Sequence, residues 1–394
     1  MARSRTIIIA GAGIGGLTCA LALIRRGFRV AVLEQAEALE PVGAGIQLFP
    51  NATRILIDLG LADRLAPAVV APQEIRVLRG RNAREIVRAD LRAVPFRYGA
   101  PYWVVHRGDL QAALVEALRA SPDGALNLGR RVEDFAVHAH GVTAQTRAAG
   151  GQRDEHGMAL VGADGLWSRI RSRLGDAATA QFCGRTAWRA TLAAERVPAE
   201  LRAPDVSLWL GPDAHLVHYP IRGGGALNIV AIVRDDWQSP EWNEPGDRAE
   251  ILAKFAGWAA EPRALLASAD AWSKWALFER QPLRTWSKGP VTVLGDAAHP
   301  MLPFLAQGGA MAIEDAAVLA DCLARWPDGP AQAFESYEGL RRPRTSRAVR
   351  KSRHNGWIYH LSGPAAVARN IVLSQMRGEG LLGRYDWLYD WRPH

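Results

Sequence analysis

The sequence predicts an α/β (α+β) chain: a discontinuous Rossmann-like domain, an inserted antiparallel-sheet domain, and C-terminal helices. Three observations lead there. A short apolar strand runs into the glycine-rich turn Gly11-Ala-Gly-Ile-Gly-Gly16 and then a helix. Far downstream the apolar strand Val291-Thr-Val-Leu294 ends on Gly295-Asp296, and a helix opens at Gly308-Gly309. Between them the texture changes to alternating strands, with Trp188, Trp209, Trp237 and Trp242 scattered through.

Each element has a local reason. Thr6-Ile-Ile-Ile-Ala10 is a buried strand, Ile14 to Arg26 a helix closed by Gly27, and Phe28 to Glu34 a second strand. Residues 51–65 read as a helix capped by Asn51 and broken at Gly60. Glu74 to Asp90 is hairpin-like, with Gly80-Arg-Asn as its turn. Gly108 to Ala120 is an amphipathic helix begun at Asp109, and 126–162 reads as strands with a turn at Gly150-Gly151. From about 180 to 283 an antiparallel sheet is expected, with one face against something large and apolar. Helices fill 309–325, 331–356 and 364–376.

The implied organisation is a first domain in three parts, 1–72, 98–178 and 284–340. A hairpin at 73–97 and a β-rich insertion at 179–283 form the second domain, and C-terminal helices occupy 341–394.

Composition narrows the function classes. The chain has 394 residues, 48% of them hydrophobic, which suffices for two domains and an appendage. Its three cysteines, Cys19, Cys183 and Cys322, have no CxxC spacing, so neither a disulfide framework nor a metal site is expected, and a reducing cytoplasm fits. Arg3 and Arg5 precede an apolar run as in a signal peptide, but glycines break the run and no small-residue cleavage site follows. No segment reaches the length of a membrane span. The net charge of +8 is densest in Arg341 to Arg353, which lacks interleaved aromatics. It reads as a solvated helix face and not as a nucleic-acid surface.

The first motif carries the clearest chemistry. Gly11 permits the tight turn, Gly13 lets the backbone approach a pyrophosphate, and Gly16 lets helix and strand pack closely, with Gly15 in the same loop. Glu34 ends the second strand, where a carboxylate accepts from a ribose, and Gln35 follows it. An acid there favours an unphosphorylated adenosine ribose, as in FAD or NAD. A second strand ends on Ala163-Asp164-Gly165 before a helix with Ser168, Arg169 and Arg171. In isolation it is also an ordinary strand-to-helix turn. In the third motif, Asp296 would accept from a ribityl hydroxyl, unless it only caps a helix. The helix begun at Gly308-Gly309 would aim its positive end at the flavin pyrimidine edge.

These three motifs, in this order, resemble those of the single-component (class A) FAD-dependent aromatic hydroxylases. Val105-His-Arg-Gly-Asp-Leu110 and the loop Val42-Gly-Ala-Gly-Ile-Gln-Leu-Phe-Pro-Asn51 match as well. The resemblance covers about residues 1–360 and looks most like the salicylate, 3-hydroxybenzoate and 6-hydroxynicotinate hydroxylase branch. It implies that Arg107 contacts tightly bound FAD and that NADH or NADPH binds transiently to reduce it. Oxygen would then form a C4a-hydroperoxyflavin that attacks an electron-rich ring. The implied partners are a small aromatic substrate and O2, with no nucleic acid and no membrane. Dimers are common in the family, so a homodimer is expected.

The substrate-side residues follow from the strand around 215. There 215, 217 and 219 share one face and His218 points the other way. The resemblance carries a His–Tyr substrate site onto His215 and Tyr219, with a base that deprotonates a substrate hydroxyl. The same two could instead be a structural pair between sheet and flavin domain. Gln47, Arg189 and Pro303 are the other pocket candidates; Arg189 could pair with a substrate carboxylate or be an ordinary strand-face arginine. His299 and His106 read as structural. The loop Met301-Leu-Pro-Phe-Leu305 is apolar where some relatives carry a polar residue, so substrate identity does not transfer.

The expected activity is hydroxylation of a small aromatic acid such as salicylate or a hydroxybenzoate. Alternatives are a heterocycle (hydroxynicotinate or urate), a larger polyketide-like ring, or a redox-linked binding module. A flavin halogenase would need a lysine near a WxWxIP motif, which Trp272-Ser-Lys-Trp275 does not supply.

Overall fold

Thr6–Ala10 is a strand of β-branched residues buried on both faces, as a parallel sheet covered on both sides requires. The computed structural model describes residues 5–39, 44–176, 178–237, 239 and 243–393. Arg3, Val42, Gly43 and Trp242 lie outside them. Thr6–Ala10 sits between Arg29–Leu33 and Ala159–Gly162, parallel to both. Val291–Val293 adds parallel to Ala159–Gly162, so one sheet collects strands from three separate stretches of chain. One face carries the helix Ile14–Ile24, packed on Arg107–Arg119 and Gly308–Arg325. Near the other lies a three-stranded antiparallel sheet, Arg131–His138, Gly141–Ala148 and Gly151–Gly157.

The second sheet has eight strands. Its centre is antiparallel: Gln181–Ala193 pairs with Ala226–Arg234, which pairs with Ala214–Ile221. The 74–90 hairpin joins it through Glu74–Arg79, which runs parallel to Val206–Gly211, so the expected antiparallel sheet holds one parallel pair. Both faces are covered, not one. Trp188, Trp209 and Trp272 pack outward in a core with Ile251, Phe255 and Leu265, from the helices Arg248–Lys254 and Ala260–Ala267 and the turn between them. The alternate residues face the first domain.

Two helix caps differ from the sequence expectation. Pro50 opens the helix Pro50–Asp58 with Phe49 in the cap position, because proline's fixed φ suits the first helical turn. Asn51 is therefore not the cap. It is buried, and its Nδ2 donates to Gln307 Oε1 at 3.0 Å and Glu314 Oε1 at 2.6 Å. Arg107–Arg119 begins before Asp109, capped by the His106 ring, which accepts from the Gly108 N–H. The last long helix runs Pro330–Tyr359 and is followed by Gly363–Gln375. Among the described residues no helix is long and apolar enough to cross a membrane.

Candidate active site

The first glycine turn explains why glycine stands at two of its positions. Gly11 has φ +108°, and a Cβ there would lie 2.4 Å from the Ala163 carbonyl oxygen. A Cβ on Gly16 would sit 2.1 Å from the Gly11 oxygen. The turn is thus pressed against the Ala163-Asp164-Gly165 turn of the neighbouring strand. A Cβ on Gly13 would meet nothing within 4 Å, which leaves its approach open to a ligand.

These turns border a cavity of about 360 Å³ between the two sheets. Its first-domain wall is Gly13, Gly15, Gly45, Arg107, Gly165, Gly295, Asp296, Gly308 and Gly309. Two helix N-termini border it, at Gly13 and Gln307, and neither has a side-chain cap or an acid in its first turn. Free N–H groups and the positive dipole ends are therefore available to an anionic or electron-rich ligand. Asp296 opens into the cavity. Its side chain is exposed within the cavity, and desolvation by the surrounding walls raises its carboxyl above the usual range, with Asp315 adding, while His299 and Arg107 oppose.

The sheet-side wall is Arg189, His215, Val217, Tyr219, Val230 and Ile232, with Gln47 from Gly45–Leu48. Tyr102 donates to Gln47 Oε1 at 2.6 Å, which orients the amide. Asn228 takes the Gly45 N–H at 2.6 Å, and a Cβ on Gly45 would collide with the Tyr219 ring at 2.5 Å. Loop and sheet therefore meet at glycine distance. Burial holds the Tyr219 phenol well above its ordinary value, against the pull of Arg189 and Gln47, so it stays neutral and can donate. Arg189 has no carboxylate partner among the described residues and its Nε makes no hydrogen bond. It lies over the Trp275 ring at 5.0 Å. Burial, with Arg107 nearby, pulls it down to about 10. Arg189 is half-buried, and a partly desolvated cation without a counter-ion favours an anionic ligand.

His215 and Tyr219 share the cavity face, as the strand period requires, and His218 lies on the other face against Trp209. His215 is buried, and its Nδ1 is 2.8 Å from His360 Nε2. Burial first, then His360 and Arg185, hold its basicity well below the ordinary histidine value. Pro303 lines the cavity together with Met301, Leu302 and Ala306. A second, mainly apolar chamber of about 160 Å³ adjoins it and shares Gln47, His215, Val217, Pro303 and Ala306.

The family profile described as an FAD binding domain matches residues 4–352. The chain belongs to that FAD-binding family. FAD is its cofactor. Over 387 residues the flavoprotein is 40% identical to a 3-amino-4-hydroxybenzoate 2-monooxygenase of Streptomyces platensis, covering 97% of this chain and 95% of that one. It is 38% identical to a 3-hydroxybenzoate 6-hydroxylase of Aquipseudomonas alcaligenes, covering 97% of each. A salicylate hydroxylase solved with its substrate matches with a TM-score of 0.82 and 26% identity, over 100% of this chain and 97% of that one.

The cavity fits this cofactor. The open Gly13 backbone, the two uncapped helix ends and the Asp296 carboxylate offer donors for phosphate and ring and an acceptor for hydroxyls. Gly15, Arg107, Gly295, Gly308 and Gly309 complete that wall. Five expected cofactor residues do not line it: Gly11 and Gly16, which press against backbone, and Glu34, Gln35 and Asp164. Glu34 accepts the Ala12 N–H at 2.8 Å and the Ala36 N–H at 2.9 Å, so its carboxylate holds the turn. Gln35 is exposed. Asp164 Oδ2 takes the N–H groups of Arg169 and Ile170, and its buried Oδ1 has no partner. The neighbours of Asp164, Ala163 and Gly165, do face the cavity.

Sequence reasoning missed the network that holds the late motif. Asp315, inside Gly308–Arg325, accepts from Gly295 N at 3.0 Å, meets His299 Nε2 at 2.5 Å and accepts from Arg341 Nε at 2.7 Å. His299 is thus engaged structurally, as expected. Arg341, read as part of a solvated basic face, is buried and also pairs with Glu314 at 2.7 Å. Arg171 Nη2 reaches Gln281 O at 2.5 Å, and its Nη1 bonds Ala297 O and Ala298 O, tying the second motif to the third.

Proposed function

We propose that the flavoprotein hydroxylates a small aromatic acid of the salicylate or hydroxybenzoate type, using NADH or NADPH and O2. The observation that carries this reading is Arg189, a half-buried arginine whose buried Nε has no hydrogen-bond partner, lining one cavity with His215 and Tyr219. In this reading Arg189 takes the substrate carboxylate, a strong charge-assisted pair in a dry site. Tyr219 and Gln47 orient the ring. His215 accepts the proton of a ring hydroxyl at Nε2 and so raises the electron density of the ring. The bound flavin supplies electron transfer from the nicotinamide and oxygen activation. Gly308–Arg325 presents its N-terminus where negative charge on the reduced ring is stabilised. Pro303 and its apolar neighbours keep water from the reacting face. A cytoplasmic homodimer is the expected state of the enzyme.

The apolar chamber beside the cavity favours a second reading, a larger aromatic or fused heterocyclic substrate. One experiment separates the two. Benzoic, hydroxybenzoic, pyridine and fused-ring acids are scored by stopped flow for stimulated flavin reduction, and then for NAD(P)H consumed against hydrogen peroxide released. Coupled turnover with single-ring acids supports the first reading, and turnover only with larger rings supports the second. If no aromatic compound stimulates reduction, the hydroxylase reading fails.

A further inference from the structure

The sheet and the C-terminal helices meet at two buried histidines. His215 lies on Ala214–Ile221, and His360 follows the last residue of Pro330–Tyr359. Their rings stand 4.9 Å apart at 41°, with the Nδ1–Nε2 distance of 2.8 Å typical of a hydrogen bond. Packing fixes the arrangement. Phe304 lies 5.7 Å from each ring, and Tyr359 meets the His215 ring edge-on at 5.5 Å. The His360 carbonyl also accepts from Asp213 N, in the turn just before His215, at 3.4 Å.

We propose that His360 is a positioning residue for His215: its Nε2 accepts the Nδ1–H of His215 and so turns a bare Nε2 toward the substrate. The proposal rests on the reading of His215 as the base.

The physical argument is about tautomers. A neutral imidazole carries one N–H. Placed on Nδ1, it leaves Nε2 as the acceptor a base needs; placed on Nε2, it makes His215 a donor only. With the His360 proton on Nδ1, its Nε2 is an acceptor opposite His215 Nδ1 and selects the first state, the role a carboxylate plays for the histidine of hydrolytic triads. Here the orienting group is uncharged. Burial and Arg185, with Arg369 behind, disfavour a proton on His360, and its value falls to about 3 despite the Gly356 backbone. Arg185 opposes a proton on either ring, and Arg369 opposes one on His360. A proton taken from the substrate therefore forms an imidazolium at His215 without a neighbouring anion. The bond to His360 shares the charge but does not trap it, which leaves the proton free to leave afterwards.

The test compares His360→Leu with His360→Gln in the flavin-loaded enzyme. The probe is 4-hydroxy-3-nitrobenzoate, whose phenolate band reports its ionisation when bound, without turnover. Leucine is expected to raise the apparent pKa of the bound phenol by about one unit and to lower coupled kcat roughly tenfold or more. KM for NAD(P)H and flavin content should not change. Glutamine, whose amide oxygen can accept from Nδ1, should restore most of both effects. The proposal is overturned if the leucine variant ionises the probe like the parent enzyme, or if glutamine is as impaired as leucine. His215→Ala distinguishes the two levels. If it also leaves probe ionisation unchanged, the base reading itself is wrong; if it alters ionisation and His360→Leu does not, only the role of His360 falls.

Discussion

Asp315 accepts the N–H of Gly295 at 3.0 Å, so a side chain two turns into the last Rossmann helix fixes the Gly-Asp turn that borders the flavin cavity. The same carboxylate holds His299 and Arg341, and all three side chains are buried. Removing one member of such a set leaves a buried charge without its partner. Asp315→Asn should cost about 3–5 kcal/mol of stability, read as a lower urea midpoint of the flavin-bound protein. A midpoint equal to the parent's would mean the network is solvated and not structural.

The same residue sets an acid limit. Burial acting alone would raise the Asp315 carboxyl, but His299 and Arg341 outweigh it and hold it at about 2. Its folded value thus lies below the unfolded one of about 3.9. The contribution is complete above about pH 5 and is lost as pH falls through about 2, about 2–3 kcal/mol in all. Urea midpoints measured between those values should fall more steeply for the parent than for Asp315→Asn. Parallel curves would contradict this.

Arg189→Gln removes the cation but keeps polarity. KM for an aromatic carboxylate should rise about 10- to 100-fold, the range for losing a hydrogen bond to a charged group, with flavin content unchanged. The matching aromatic amide, which has no negative charge, should lose little. Equal losses for acid and amide would show that Arg189 packs and does not recognise charge.

The glycine turn offers a paired test. Gly16→Ala places a Cβ 2.1 Å from backbone, so insoluble or unfolded protein is expected. Gly13→Ala meets no protein atom within 4 Å and keeps an ordinary φ of −69°, so the apo fold should survive while FAD affinity drops. Thermal unfolding of apo protein and a flavin titration separate the two. Full FAD affinity in Gly13→Ala would rule out close approach of the cofactor there.

Asp296→Ala should give weakly flavinated protein, because the carboxylate that opens into the cavity is gone while the Gly295 anchor to Asp315 remains. A fully yellow variant with normal turnover would refute its part in holding FAD.

The parts legible in the sequence were those whose cause is local. Gly11 and Gly16 announce a turn because only glycine fits there, and His215 and Tyr219 fall on one face through the strand period alone. The parts not legible depend on distant pairing. Asn51 looks like a helix cap until Gln307 and Glu314 arrive from the other end of the chain. Arg341 looks solvated because its neighbours in sequence are basic, yet Glu314 and Asp315 claim it. His360 carried no signal at all: it is 145 positions from His215, beyond a helix whose own pattern is polar.

The central strand Thr6–Ala10 is made first, but its parallel neighbour Ala159–Gly162 and that strand's neighbour Val291–Val293 come much later. At about 5–20 residues per second of synthesis, the interval is on the order of tens of seconds. During it a mainly apolar strand has an open edge, a template for pairing with other chains. Chaperone demand in the cell, and truncations that stop before residue 291, should therefore bear on yield of this enzyme more than any single contact in its finished fold.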